Sequence, residues 1–230
     1  MNHSENNDFT TSFKINISKN EHSITINTQF NYQEAWVWLQ QKGIEVYGSN
    51  FQMYEEDKHT ICVMLCYFLR DHLAAPQLNI NLKKGILLTG PVGCGKTSLF
   101  RLMSYFIQNN DQKFITKSCR DISFEFIKDG FDVIHRYTRG ELYQYNPRTI
   151  CFDDLGTESN LKYFGNECNV MAEILLSRYD LFISHNLLTH LTTNLSATEM
   201  EEMYGNRLRS RLRAMFNLLA FQPESIDKRF

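Results

Sequence analysis

The chain has 230 residues, 43% of them apolar and 22% charged, which is room for one α/β domain and a small appendage. A formal net charge of −2 excludes a global basic field, so any contact with nucleic acid must come from a local patch. Six scattered cysteines without a Cys-x-x-Cys pair, a polar first dozen residues and a longest apolar stretch of only Ile61 to Leu69 argue against a disulfide scaffold, a secretory leader and a membrane span, and point to a reduced, cytoplasmic setting.

In chain order, residues 1–12 read as a polar arm. Phe13, Ile15 and Ile17 alternate with polar residues, as do Ile24, Ile26, Thr28 and Phe30, and Lys19-Asn20-Glu21-His22 lies between them; this is a hairpin pattern. The segment from Tyr32 to Lys42 carries Trp36 and Leu39 at helical spacing and should stop at Gly43. A longer helix is expected over about 55–74, with Ile61, Leu65, Phe68, Leu69 and His72 on one face and Pro76 just beyond its end. His59, Cys62 and Cys66 share a helical face, but no fourth ligand is evident, and core packing is the better reading. From 85 onward strands and helices alternate. Strands are expected at about 85–89, 113–118, 149–153, 187–193 and 215–221, helices at about 96–109, 120–137, 167–180 and 197–212, and an irregular connection at 138–148. That alternation predicts a parallel five-stranded sheet with crossover helices. The organisation that follows is an arm, hairpin and short helix over 1–54, a candidate partner-docking region, and an α/β domain over 55–230.

The chemistry concentrates in four places. Gly90-Pro91-Val92-Gly93-Cys94-Gly95-Lys96-Thr97, followed by Ser98, is a complete G-x-x-x-x-G-K-[ST] loop set between an apolar strand and a helix. In that setting backbone N–H groups and the helix dipole converge on phosphate oxygens, Lys96 reaches the β- and γ-phosphates, and Thr97 holds Mg²⁺. The strand before Asp153-Asp154 ends at the carboxyl edge where such sheets bind ligands, so one carboxylate should orient Mg²⁺ and its neighbour could polarise the attacking water. Asn194 ends the next apolar strand. It suits a neutral sensor of the γ-phosphate better than a mere start of the turn before Ser196. The run containing Arg207, Arg209, Arg211 and Arg213 is the most basic in the chain. It fits an arginine finger, a solvated helix pairing with Glu199, Glu201 and Glu202, or a contact with DNA phosphates.

Taken together, residues 90–97, Cys151-Phe152-Asp153-Asp154-Leu155-Gly156-Thr157-Glu158, the Thr192-Thr193-Asn194 strand end and the Tyr204-Gly205-Asn206-Arg207-Leu208-Arg209-Ser210-Arg211-Leu212 box resemble the DnaC/IstB-type branch of AAA+ ATPases, the bacterial helicase loaders and transposition helper ATPases. The resemblance spans about 75–222 and implies a three-layer αβα P-loop fold of AAA+ type. It implies Asp153 on Mg²⁺, Asp154 activating water, Asn194 as sensor, and Arg211, with Arg207 second, as a finger acting on a neighbouring copy. It further implies ATP-controlled self-association through the Arg211 face, contact with single-stranded DNA, and a replicative helicase or a transposase as partner. Two departures stand out: many AAA+ proteins carry Glu where Asp154 stands, so hydrolysis should be slow, and the short tail leaves no room for a helical lid, with Arg229 the one stand-in for a second sensor arginine. Phe124, Tyr143 and Tyr145 are candidate stacking platforms for bases, though each fits core or loop packing better. A GTPase is disfavoured because no Asn-Lys-x-Asp occurs, and a small-molecule kinase would not need the Asn-tipped strand.

Overall fold

A computed structural model describes residues 11–16, 23–140, 147–158, 161–163 and 166–229, with the backbone alone for 15, 16, 23, 24, 161–163, 166 and 167. Residues 1–10 of the arm, Ile17, the Lys19–His22 turn, Tyr143 and Tyr145 lie outside the described residues, while Thr11 and Ser12, expected in the arm, belong to the first strand. Contacts divide the chain into two units, Met1–Leu82 and Lys83–Phe230, a later division than the one after residue 54 expected from the sequence.

The reason lies in the helix expected over 55–74. In the first unit, β1 (Thr11–Asn16) pairs antiparallel with β2 (Ser23–Thr28), Phe13 opposite Ile26. Helix α1 (Tyr32–Tyr47) starts at Asn31, whose side chain accepts the N–H groups of Gln33 and Glu34. It does not stop at Gly43. That glycine lies inside the helix because the Phe51 ring stands where a Cβ would be, 2.0 Å from Cε1, so it serves a close approach rather than a stop. Helix α2 (Lys58–Phe68) is buried at every position from Thr60 to Phe68, which makes it the core of this unit rather than a one-sided helix of the next. It ends early because Arg70 takes a left-handed conformation (φ 58°), and α3 (Ala74–Gln77) follows as a separate turn. Buried Asp71 fixes the junction. Its carboxylate accepts the N–H groups of Gln29 (2.9 Å), Leu73 (3.0 Å) and Ala74 (2.9 Å) and the Tyr32 hydroxyl (3.2 Å). Burial pushes the Cys62 and Cys66 thiols of α2 up to about 12, as expected of packing cysteines.

The second unit contains β3 (Gly85–Thr89), α4 (Lys96–Met103), β4 (Ile115–Ser118), α5 (Cys119–Asp129), α6 (Asp132–Thr138), β5 (Ile150–Leu155), β6 (Leu161–Tyr163), β7 (Asn166–Cys168), α7 (Val170–His185), β8 (Thr189–Thr193), α8 (Ala197–Met215) and β9 (Phe216–Ala220). All five expected strands form, and they make one parallel sheet in the order β4-β5-β8-β3-β9. Strand β8 therefore separates the phosphate-loop strand from the strand that carries the acidic pair. On one face Leu87, Phe152 and Leu191 pack with α5, α7 and α8. On the other, His190 lies against the rings of Phe100 (5.6 Å between centroids) and Phe114 (5.1 Å). Burial lowers the His190 pKa to about 3, so the ring is neutral, and its Nδ1 accepts the Ile86 N–H at 3.1 Å.

Helix boundaries differ from the sequence expectation at identifiable residues. The helix expected over 120–137 breaks at Gly130 (φ 60°). The one expected from 167 starts at Val170, because the small antiparallel pair β6–β7 occupies the preceding residues. Helix α8 extends to Met215 and is kinked at Gly205 (φ 78°, ψ 162°), just before the basic run. Arg178 of α7 is fully buried and ties four segments together. It donates to the Thr189 hydroxyl (2.8 Å) and to the carbonyls of Tyr137 (2.8 Å), Arg148 (2.9 Å) and Leu188 (2.9 Å), and burial lowers its pKa to about 9.

Candidate active site

The phosphate loop leaves β3 at Thr89 and enters α4 at Lys96. Gly93 and Gly95 adopt positive φ (82° and 96°), which side-chain-bearing residues seldom do, and this lets the chain bend tightly into the helix N-terminus. Lys96 is buried, and its ammonium donates to the carbonyls of Gly90 and Pro91, both at 2.8 Å, so it sits folded within its own loop. Cys94 is buried beneath it, with Sγ 4.0 Å from Lys96 Nζ. Val92 projects outward, 59% exposed, at the rim.

The acidic pair meets this loop directly. Thr97 Oγ1 donates to both carboxylate oxygens of Asp153, 2.9 Å from each. The sequence separation is 56 residues, so the fold brings the hydroxyl and the carboxylate together. A hydroxyl and a carboxylate oxygen are the hard donors that Mg²⁺ accepts from a protein when phosphates and water supply the remainder, and the pair fits that ion. Among the described residues no group of three His, Cys, Asp or Glu side chains could hold a metal, so a cage made of such side chains is not what the site offers.

Asp154 is set apart from Asp153 by a bulge. Phe152 faces Leu191 and Leu155 faces Thr193, so Asp153 and Asp154 together oppose Thr192. Asp154 takes a left-handed conformation (φ 55°), a strained position that Asp tolerates better than most residues. Its carboxyl is pushed above the usual range by desolvation and by the Asp153 charge, while Lys96 and Arg229 act in the opposite direction. A carboxylate with raised proton affinity beside a second, hydroxyl-bonded carboxylate is suited to accept a proton from water.

Thr192, which the sequence offered as part of the strand end at 191–196 but without a role of its own, holds the pair together. Its buried Oγ1 donates to Asp153 Oδ1 (2.5 Å) and accepts the Asp154 N–H (2.9 Å). Next to it, Thr193 Oγ1 donates to the Leu155 carbonyl (2.7 Å) and accepts the Leu195 N–H (3.1 Å). The available signal was two adjacent hydroxyls ending a buried strand, where aliphatic side chains would otherwise be expected. Asn194 follows at once. Thr89 pairs with Thr193, so Asn194 stands level with Gly90 at the same sheet edge, and it is exposed.

The basic run is arranged differently. Ser196 and Glu199 form a capping box that starts α8, which assigns Glu199 to the cap rather than to an arginine. Arg209 pairs with Glu201. The Arg211 guanidinium lies 4.8 Å from the centroid of Tyr179 on α7, and Arg207 is exposed beyond the Gly205 kink. The Tyr204 hydroxyl bonds buried Glu158, whose other oxygen accepts the Gly156 N–H (2.8 Å), so the start of the basic box is tied to the turn after the acidic pair. Phe124, 55% exposed on α5, stacks under Arg120 (5.6 Å).

Residues 85–162, which contain the phosphate loop and the acidic turn, match the sequence profile of the AAA domain (dynein-related subfamily). No curated protein sequence is significantly similar to the chain. Among solved structures, the DnaC helicase loader is 17% identical with a TM-score of 0.53, over 76% of this chain and 95% of that one. A primosome component of Streptococcus pyogenes serotype M3, itself described as putative, is 18% identical with a TM-score of 0.51, over 75% and 83%. A DNA replication initiation factor is 16% identical with a TM-score of 0.51, over 75% of this chain and 48% of that one. At such identities the likeness establishes the fold, an α/β P-loop domain of AAA+ type, which is the fold that the sequence resemblance implied.

Proposed function

We propose that this chain is a Mg²⁺-dependent ATPase that acts in DNA replication as a helicase loader of the DnaC type. The observation that carries the nucleotide reading is the Thr97 hydroxyl on the Asp153 carboxylate, one residue from Lys96 and one from Asp154. The loader reading is supported by the shared fold with a DnaC helicase loader and with the primosome component.

In this reading the amides of residues 90–97 and the Lys96 ammonium receive the phosphates, and Thr97 with Asp153 holds Mg²⁺. When bound, the metal neutralises charge on the β- and γ-phosphates. Asp154 accepts a proton from the attacking water, and Asn194 orients that water by hydrogen bonding. Arg211, with Arg207 behind it, serves the site of a neighbouring copy, so hydrolysis follows self-association. The Thr192 hydroxyl keeps the Asp153 carboxylate and the Asp154 backbone in register throughout. Single-stranded DNA is the expected ligand of the assembled form, the amino-terminal unit is the candidate dock for the helicase, and the cytoplasm is the expected compartment. Among the described residues no helix is long and apolar enough to cross a membrane.

The test is deposition of the same organism's purified replicative helicase on closed single-stranded DNA circles, with ATP. The wild-type chain should load it and Lys96→Ala should not. Failure to load, together with capture of a transposase by the ATP-locked Asp154→Asn protein, would assign the chain to the transposition helpers instead.

A further inference from the structure

Apart from the charge of Arg229, the residues beyond β9 have no role in the reading above, yet they are folded against its most important loop. Strand β9 runs parallel to β3 with Ala220 opposite Thr89, so the tail leaves the sheet at the edge where the phosphate loop leaves it. The Phe221 N–H donates to the Thr89 carbonyl at 2.9 Å. A turn follows, closed by the Ser225 N–H on the Gln222 carbonyl (3.0 Å), with Ser225 buried. The chain then meets the loop twice through one residue. The Lys228 N–H donates to the Gly93 carbonyl (3.0 Å), and its ammonium donates to the Cys94 carbonyl (3.1 Å) while lying 4.8 Å from the Phe221 ring centroid. The Asp227 carboxylate abuts Gly93, where a Cβ would come within 2.2 Å of Oδ1. Arg229 closes the tail on Asp227 through Nε (3.0 Å) and a terminal nitrogen (2.6 Å).

These contacts fix the direction of the loop amides. In a trans peptide the carbonyl and the N–H point in opposite directions, and this chain has no cis peptide among its described residues. Turning the carbonyls of Gly93 and Cys94 outward to Lys228 therefore turns the N–H groups of Cys94 and Gly95 away from the tail, into the loop. The Cys94 N–H accordingly donates to the Pro91 carbonyl across the bend, a long bond (3.4 Å) that an incoming anion would have to replace. Gly93 and Gly95 flank these peptide planes, and glycine's conformational freedom would otherwise let both planes turn over. A loop with its planes already set loses less freedom when an anion arrives.

We propose that residues 221–229 form a brace that sets the phosphate loop in its anion-receiving form, with Lys228 as the positioning residue. The brace rests on the nucleotide reading of the loop and adds that affinity is tuned from the loop's outer, carbonyl side. Because it acts on peptide planes shared by all phosphate ligands, it strengthens ATP and ADP binding alike and leaves the chemical step alone.

The test compares the wild type with Lys228→Met, Lys228→Arg and a chain deleted from Ile226 onward, which retains β9, Phe221 and Ser225. Hydrogen exchange at the Cys94 and Gly95 amides is measured without nucleotide, and dissociation constants for ATP and ADP are measured by calorimetry. Lys228→Met and the deletion should exchange faster at those two amides. They should also bind both nucleotides about tenfold more weakly, the worth of one charge-assisted hydrogen bond, and Lys228→Met, which keeps Arg229, should do so with kcat and melting temperature unchanged. Lys228→Arg should restore both readouts. Unchanged exchange and affinity would overturn the brace, and tighter binding by the deleted chain would make the tail a plug instead. If the wild type bound no nucleotide, the functional reading would fall, and exchange at the two amides would still decide whether the tail braces the loop.

Discussion

The acidic turn after β5 and the basic run of α8 carry opposite charge in the second unit, and they are held in opposite ways. In the turn, Asp153 receives hydroxyls from Thr97 and Thr192, and the Asp154 N–H is fixed by the same Thr192. In α8, Arg209 spends its charge on Glu201, while Arg211 rests on the face of Tyr179, a contact that leaves the edges of its guanidinium for other partners. The contrast with Arg178 is sharper still: four hydrogen bonds and complete burial leave that arginine no further work. Groups that act within their own chain are positioned by the fold beforehand. A group meant for a neighbouring copy is expected to be presented without such fixtures; among the described residues Arg211 is held by a ring contact, where Arg178 and Arg209 are held by hydrogen bonds.

The largest effect that would break this comparison is at Arg211. Arg211→Ala should bind ATP as the wild type does and lose about 10³-fold of the hydrolysis that self-association stimulates, while Arg209→Ala, a half-exposed pair, should stay near wild type. Undiminished turnover in Arg211→Ala would remove the finger and leave the basic run a solvated face. A smaller effect sharpens the other side. Thr192→Val keeps the shape and deletes the hydroxyl that spans the bulge. It should raise the Mg²⁺ concentration for half-maximal ATP binding by about ten- to a hundredfold, the usual cost of losing a group that orients a metal ligand. Thr192→Ser should retain the wild-type value, and an unchanged Mg²⁺ requirement in the valine variant would show that Asp153 needs no such support.

What was legible in the sequence follows the range of the interactions. The phosphate loop is a contiguous pattern whose strand and helix lie on either side, so residues 90–97 could be read directly, and the five parallel strands follow from alternation alone. The Asp153-Asp154 pair was legible because an apolar strand ends there. Thr192 was not, because its role depends on a bulge between β5 and β8 and on which strands lie side by side. The tail escaped for a similar reason: Lys228 meets Gly93 only because β9 returns parallel to β3. The helix over 58–68 groups with the first unit rather than the second because it is buried on all sides, whereas the sequence showed only the one face of Ile61, Leu65 and Phe68, which does not say which unit it serves.

The central claim is that the bend at Gly90–Thr97, with Asp153 beside it, receives a triphosphate and its metal. Calorimetric titration of ATP into the wild type and Lys96→Ala, with and without Mg²⁺, tests it most directly. The account predicts one site per chain in the wild type, tightened by Mg²⁺, and no measurable binding by Lys96→Ala. Equal binding by the two proteins, or a wild type indifferent to ATP at every Mg²⁺ concentration, would contradict it.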